Sequence, residues 1–151
     1  MTRTYHTLIP AVYVIFRRDQ EVLLLKRANT GYKDGQYSLP SGHVEKEGTA
    51  LQAAVREAQE EVGLKLDGSA LGLAHTQHRA GEDGTGMDRI DMFFEITSWQ
   101  GEPINNEPHK CAELRWARLD ALPENVVGEV RQALRLITDD KSYSEYNFAK
   151  S

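Results

Sequence analysis

A chain of 151 residues has room for one ordinary domain with a real core and too little for two. Its net charge of −5 argues against a general nucleic-acid surface, which needs clustered Lys and Arg, although bound cations would still admit small phosphorylated ligands. A single cysteine, Cys111, excludes an internal disulfide and reads as a small buried hydrophobe in a reducing compartment; no run nears ~18 apolar residues and the N-terminus lacks a signal core, so the expectation is a cytoplasmic protein without a membrane partner.

Residues 8–16 are rich in Val, Ile, Tyr and Phe, and residues 17–21 turn them into an apolar run at 22–26, which predicts a hairpin. A polar loop with Gly31 and Gly35 follows. Thr49 and Gln52 form a Thr-x-x-Gln capping box in front of strong helix formers, and Gly63 ends that helix. Leu51, Ala54, Val55, Ala58 and Val62 make its apolar face. Residues 70–79 and 89–98 read as strands flanking a glycine-rich loop at 80–87, with Arg79 and Arg89 as ordinary surface arginines. Another strand covers 113–117. Residues 119–123 lead into a last helix with Val126, Val127, Val130, Ala133, Leu134 and Ile137 as its stripe, and the polar tail at 139–151 reads as loosely held. The pattern describes an α/β fold in one domain over residues 1–151, a mixed sheet between two helices.

On the first helix Glu57, Glu60 and Glu61 stand three and four apart, so their carboxylates share one small volume and repel unless a cation neutralises them. Hard oxygen donors suit Mg²⁺ or Mn²⁺, with substrate phosphates completing the shell. Arg56 sits beside the cluster, where its fork of donors can hold a carboxylate. A Glu-rich helix face alone is usually solvated surface.

The surrounding residues point further. Gly42, Arg56, Glu57, Glu60, Glu61, Gly63 and Leu64 fall in register with the box of the Nudix hydrolases, which this stretch resembles, and Ala58 fills its apolar position loosely. Residues 22–27 and 37–42 are similar to the family's strand and its lead into the box. Two positions depart. The first glutamate of the box falls on Gly48, with Glu47 just before it as though the usual Gly-Glu pair were transposed, and Glu45 or Glu47 is a possible substitute; Ser41 stands where glycine is usual. The resemblance implies the α/β/α Nudix sandwich, Mg²⁺ or Mn²⁺ as cofactor, and the backbone carbonyl of Ser41 as a metal ligand beside Glu57, Glu60 and Glu61. It also implies attack of water on a diphosphate linked to another moiety.

Several carboxylates around a cation suit that reaction on their own chemistry, and no Gly-x-Ser-x-Gly elbow or P-loop competes. Glu107, in a run that resembles the loop supplying the base in some relatives, is the first choice of general base; Glu60 or Glu61 is the second. Arg27 matches a phosphate-touching position and Lys33 lies in the loop after it. Asn125 is either a purine reader, as in one relative, or an N-cap. Tyr13, Tyr37, Phe93 and Trp116 read as core before they read as stacking platforms. His75, His78 and His109 form no recognisable ligand set. The expected partner is a small phosphorylated molecule, a nucleoside triphosphate foremost, with a homodimer allowed for and no stable nucleic-acid complex. Gly48 keeps a second reading open, a Nudix-fold sensor that binds a nucleotide without cleaving it.

Overall fold

The computed structural model describes residues 2–81 and 86–148. Along the chain, β1 (Ile9–Arg18), β2 (Glu21–Arg27), β3 (Tyr37–Ser38) and β4 (Ser41–His43) precede α1 (Ala50–Val62). A 3-10 turn at Gly68–Ala70 leads into β5 (Gly72–Arg79) and β6 (Arg89–Ile96), followed by β7 (Cys111–Arg118), α2 (Gly128–Thr138) and β8 (Tyr143–Tyr146). These strands form one mixed sheet ordered β3-β2-β1-β6-β5-β8, with β4 added to β1 and β7 to β2. Of the glycine-rich loop, residues 82–85 lie outside the described residues, as do 149–151 of the tail.

Alternation along the central strands builds the two cores. On β1, Val12, Val14 and Phe16 face the cluster that holds Ala53, Ala54, Ala58 and Val62 of α1, while Tyr13 and Ile15 face the cluster that holds Val130, Ala133 and Leu134 of α2. Leu23 and Leu25 of β2 join the first cluster, and Val22 and Leu24 the second. A sheet covered on both faces by helices is the expected α/β sandwich, and each fully buried aliphatic side chain contributes about 1.5–3 kcal/mol.

Several expectations need correction. The β1–β2 hairpin is only two pairs deep, Arg17 with Val22 and Arg18 with Glu21. Both strands are buried on both faces, so each has further partners. β6 runs parallel to β1 over Ile9–Phe16, β4 takes the other edge at Ala11–Tyr13, and β2 turns away to β7 and β3. The sheet therefore forks where β4 wedges in. On α1, Leu51 is 37% exposed and Ala53 takes its place in the core. α2 begins only at Gly128; Val126 and Val127 are buried ahead of it, and Val127 stands at the N-cap without a side-chain cap.

The tail also differs from the loosely held segment read from its polarity. β8 pairs in parallel with β5, and buried Ser144 meets His75 Nε2 at 2.8 Å and Gln77 Nε2 at 3.1 Å through its hydroxyl. The Lys141 carbonyl lies 2.8 Å from His75 Nδ1. Backbone pairing and buried polar contacts dock this strand, so no apolar alternation marks it in the sequence.

Candidate functional site

α1 carries its own start and stop signals. The Thr49 hydroxyl accepts from Gln52 N–H at 3.1 Å, Gln52 Oε1 accepts from Thr49 N–H at 2.9 Å, and Gly63 closes the helix at φ 70°. Between these ends the carboxylate stripe faces the fork of the sheet. β4 brings Ser41 and Gly42 there, and a side chain at 42 would collide with the Glu57 carboxylate, so glycine leaves that carboxylate room to sit where it does.

The base candidate reaches the same place through the far end of α1. The last carbonyls of a helix lack internal partners. Here Ile104 N–H donates to Val62 O at 3.0 Å, Asn106 N–H to Glu61 O at 3.1 Å, and Asn106 Nδ2 to Glu60 O at 3.1 Å. The loop at 101–107 is thereby bonded to the helix that carries the stripe. Glu107 O in turn accepts from Lys110 and Cys111 N–H, each at 2.9 Å, which starts β7.

Glu57, Glu60, Glu61 and Glu107 line one cleft of about 510 Å³, with Arg27, Ser41 and Lys110 also in its wall. Ser41 N–H donates to Glu61 Oε2 at 2.8 Å. Arg56 Nη2 donates to Glu57 Oε1 at 3.1 Å and to His43 O at 3.0 Å, while its Nη1 meets Glu45 at 3.3 Å. Burial works against the Arg56 charge, but Glu57, Glu45 and Glu60 together hold it protonated above its ordinary value. Burial pushes the Glu61 carboxyl well above the usual carboxylate range, and Glu57 and Glu107 add to that against the Ser41 hydrogen bond. Glu57 is also raised, by burial and Glu60 against Arg56.

Crowded, desolvated carboxylates of this kind favour a cation. Among the described residues no three His, Cys, Asp or Glu side chains make a ready-closed ion cage, and Mg²⁺ chemistry does not need one, because water and phosphate fill most of its shell. The donor set fits a hard divalent ion.

A second cavity of about 380 Å³ adjoins the cleft and shares Arg27, Ser38 and Ser41 with it. Tyr13, Tyr32, Lys33, Arg79, Arg89 and Glu129 contribute to its wall. Arg79 and Arg89 are therefore pocket residues, and Arg79 is only 4% exposed. Lys33 donates to Glu129 Oε2 at 3.1 Å. Arg27 spends Nε on Tyr32 O at 2.8 Å and Nη2 on the Thr30 hydroxyl at 3.2 Å, shaping the loop at 28–36.

Asn125 stands apart. It lines neither cavity and is not the N-cap of α2; its Nδ2 donates to Gly35 O at 2.9 Å, which ties the same loop to the approach of α2. Tyr13 stacks on buried Phe93 at 4.5 Å, core packing that still shows one edge to the second cavity. Cys111 is buried, and burial pushes its thiol up. Sequence reasoning missed Lys110, Tyr32 and Glu129. Only their distant positions in the chain precede them as signals, and no local spacing connects them.

Gly48 has a backbone counterpart. The left-handed turn residue ahead of α1 is Glu47, at φ 68°, so the transposed order puts a side chain where glycine is easier. Exposed Glu45 meets Arg56, and Glu45 and Glu47 lie outside both cavity walls.

The NUDIX domain family model matches residues 7–137. The NAD-capped RNA hydrolase NudC of Edwardsiella ictaluri is 30% identical over 138 residues, 91% of this chain and 49% of that protein. The ADP-ribose pyrophosphatase of Methanocaldococcus jannaschii is 48% identical over 57 residues, 36% of this chain and 33% of its own length. The chain spans about half the length of the NudC relatives it matches. Among solved structures, the MutT NUDIX hydrolase from Burkholderia pseudomallei aligns at TM-score 0.76 and 26% identity, covering 85% of this chain and 97% of that one. With the glutamate helix, the forked mixed sheet beneath it and the matched span all in agreement, this chain belongs to the NUDIX family, the Nudix hydrolases.

Proposed function

We propose that the protein hydrolyses a phosphoanhydride bond in a nucleoside diphosphate linked to another moiety, with Mg²⁺ or Mn²⁺ as cofactor. The observation that carries this reading is the meeting of Glu57, Glu60, Glu61 and Glu107 in one cleft that opens beside a second, arginine- and lysine-bearing cavity. Glu57, Glu60, Glu61 and the Ser41 carbonyl would hold the cation. When bound, it neutralises the diphosphate and makes the attacking water more acidic. Glu107 accepts a proton from that water as its oxygen bonds to phosphorus and the bridging P–O bond breaks, and the bridging oxygen leaves with the second phosphorylated product. Glu60 is the alternative acceptor. Arg56 holds Glu57 in place through its Nη2. Arg27 and Lys33 meet substrate phosphate at the junction with the second cavity.

Nucleoside triphosphates lead the substrate list. The relatives' names add NAD-capped RNA and ADP-ribose to it. Asn125, engaged with Gly35, is not assigned to the substrate. We further propose a cytoplasmic location with small molecules as partners; among the described residues no helix is long and apolar enough to cross a membrane.

The test is incubation with Mg²⁺ or Mn²⁺ and a panel of nucleoside triphosphates, nucleotide sugars, ADP-ribose, NAD and dinucleoside polyphosphates. Paired phosphorylated products from one class support the hydrolase. Tight binding with no product across the panel overturns it in favour of the sensor that Gly48 allows.

A further inference from the structure

Four charges of alternating sign run from the sheet to the rim of the second cavity. Asp91 of β6, with no exposed surface, accepts from Arg79 Nε at 2.6 Å and from its Nη2 at 3.2 Å. Arg79 Nη1 lies 3.7 Å from Glu129 Oε1 on α2, beyond hydrogen-bond reach, and Glu129 is 3% exposed. Lys33 then reaches Glu129 from the loop at 28–36, and its side chain, 19% exposed, is the most accessible of the four.

The loop is shaped to deliver that ammonium. Lys33 adopts φ 52°, a left-handed conformation that is costly for a lysine and persists only where surrounding contacts hold it. Asp34 accepts from Thr30 and Gly31 N–H, at 3.1 and 2.9 Å, and folds the loop back on itself. The Lys33 ammonium also lies 5.2 Å from the centre of the Tyr32 ring, and both residues line the cavity. A glutamate buried on a helix is expensive unless a cation meets it. Arg79 faces Glu129 without a hydrogen bond, and Glu129 gains a hydrogen-bonding cation by drawing in Lys33 from a different part of the chain.

We propose that Glu129 is a positioning residue for substrate binding: its buried carboxylate fixes Lys33 at the rim of the second cavity, where the ammonium meets the negative charge of the bound phosphorylated substrate. This rests on the phosphoanhydride reading for its substrate half only.

The test compares Glu129→Gln, Lys33→Met and the double variant in two measurements. Amide hydrogen exchange over residues 28–36, taken without substrate, is expected to rise about tenfold in each single variant and no further in the double. With the substrate found in the panel, KM is expected to rise about tenfold in each single variant, far more than kcat falls, and again without adding. Unchanged exchange in Lys33→Met, or effects that add fully, overturns the proposal. Raised exchange with KM unaltered overturns its substrate half. Should Glu129→Gln fail to fold, Lys33→Met decides alone, because Arg79 still faces the buried carboxylate in that variant. Should nothing in the panel be cleaved, the proposed function falls while the exchange measurement still decides whether Glu129 holds Lys33.

Discussion

The acidic cleft and the second cavity share a wall, yet they handle charge in opposite ways. In the cleft, four glutamates crowd together and burial lifts the Glu61 and Glu57 carboxyls, so the protein leaves charge there for a ligand to neutralise. Behind the second cavity, Asp91, Arg79, Glu129 and Lys33 alternate in sign and neutralise one another. Burial pushes the Asp91 carboxyl up and Arg79 pulls it part of the way back. Crowded like charge invites a cation from outside, and paired charge needs none. Removing a charge should therefore have opposite effects on stability in the two places.

The largest effect belongs to the cleft. Glu61→Gln is expected to lower turnover on the order of 10³-fold, read in the nucleotide assay, because on the proposed mechanism it removes a charge that would hold the cation against the diphosphate. Activity within a few-fold of the parent would make the cleft the wrong site. In the second cavity, Arg79→Met leaves Asp91 buried without its hydrogen-bonding cation and is expected to destabilise the fold by about 3–5 kcal/mol, measured by urea unfolding. A loss well under that would mean the alternating charges frame little.

Two further measurements sharpen the contrast within the cleft. Glu107→Gln should cut turnover about 10²-fold with melting temperature unaltered, since the proposed base role needs the carboxylate whereas the loop contacts of Glu107 run through its backbone. In chelator the fold itself should respond to Glu61. Its carboxyl is raised in the folded protein, so the stability tied to this group is complete below the ordinary carboxylate value of about 4.3 and is lost as pH rises through the raised value. Glu61→Gln should consequently melt above the parent at about pH 8, with the gap closing toward about pH 4; an equal gap at both pH values would break the link to this carboxyl. The smallest effect lies outside both cavities. Glu47→Gly should stabilise by about 1 kcal/mol in urea unfolding, by relieving a left-handed glutamate ahead of α1.

Those two regions also differ in how much of them the sequence discloses. The cleft is largely legible because its parts are local. A capping box, a stripe at three- and four-residue spacing and a closing glycine lie within one helix, and the structure forms each of them. Of the second cavity only Arg27 and Lys33 are legible as phosphate candidates, because Arg79 and Glu129 come from a strand and a helix that only the fold brings to them. Arg79 looks like any surface arginine until its burial against Asp91 is known. The same limit applies elsewhere. β8 is held by backbone pairing and by Ser144 against His75, which leaves no periodic pattern to read. The β1–β2 hairpin parts after two pairs because β4, which is far too short to recognise from composition, occupies the edge of β1.

The bonds from Ile104 and Asn106 to the last turn of α1 have a mechanical consequence. The glutamates that would grip the ion and the one that would take the proton travel as a single block, because the end of the helix is also the anchorage of the loop. Their spacing is thus set without the residues that wall only the second cavity. New walls could be fitted for a different cargo there, and the reacting centre would keep its alignment.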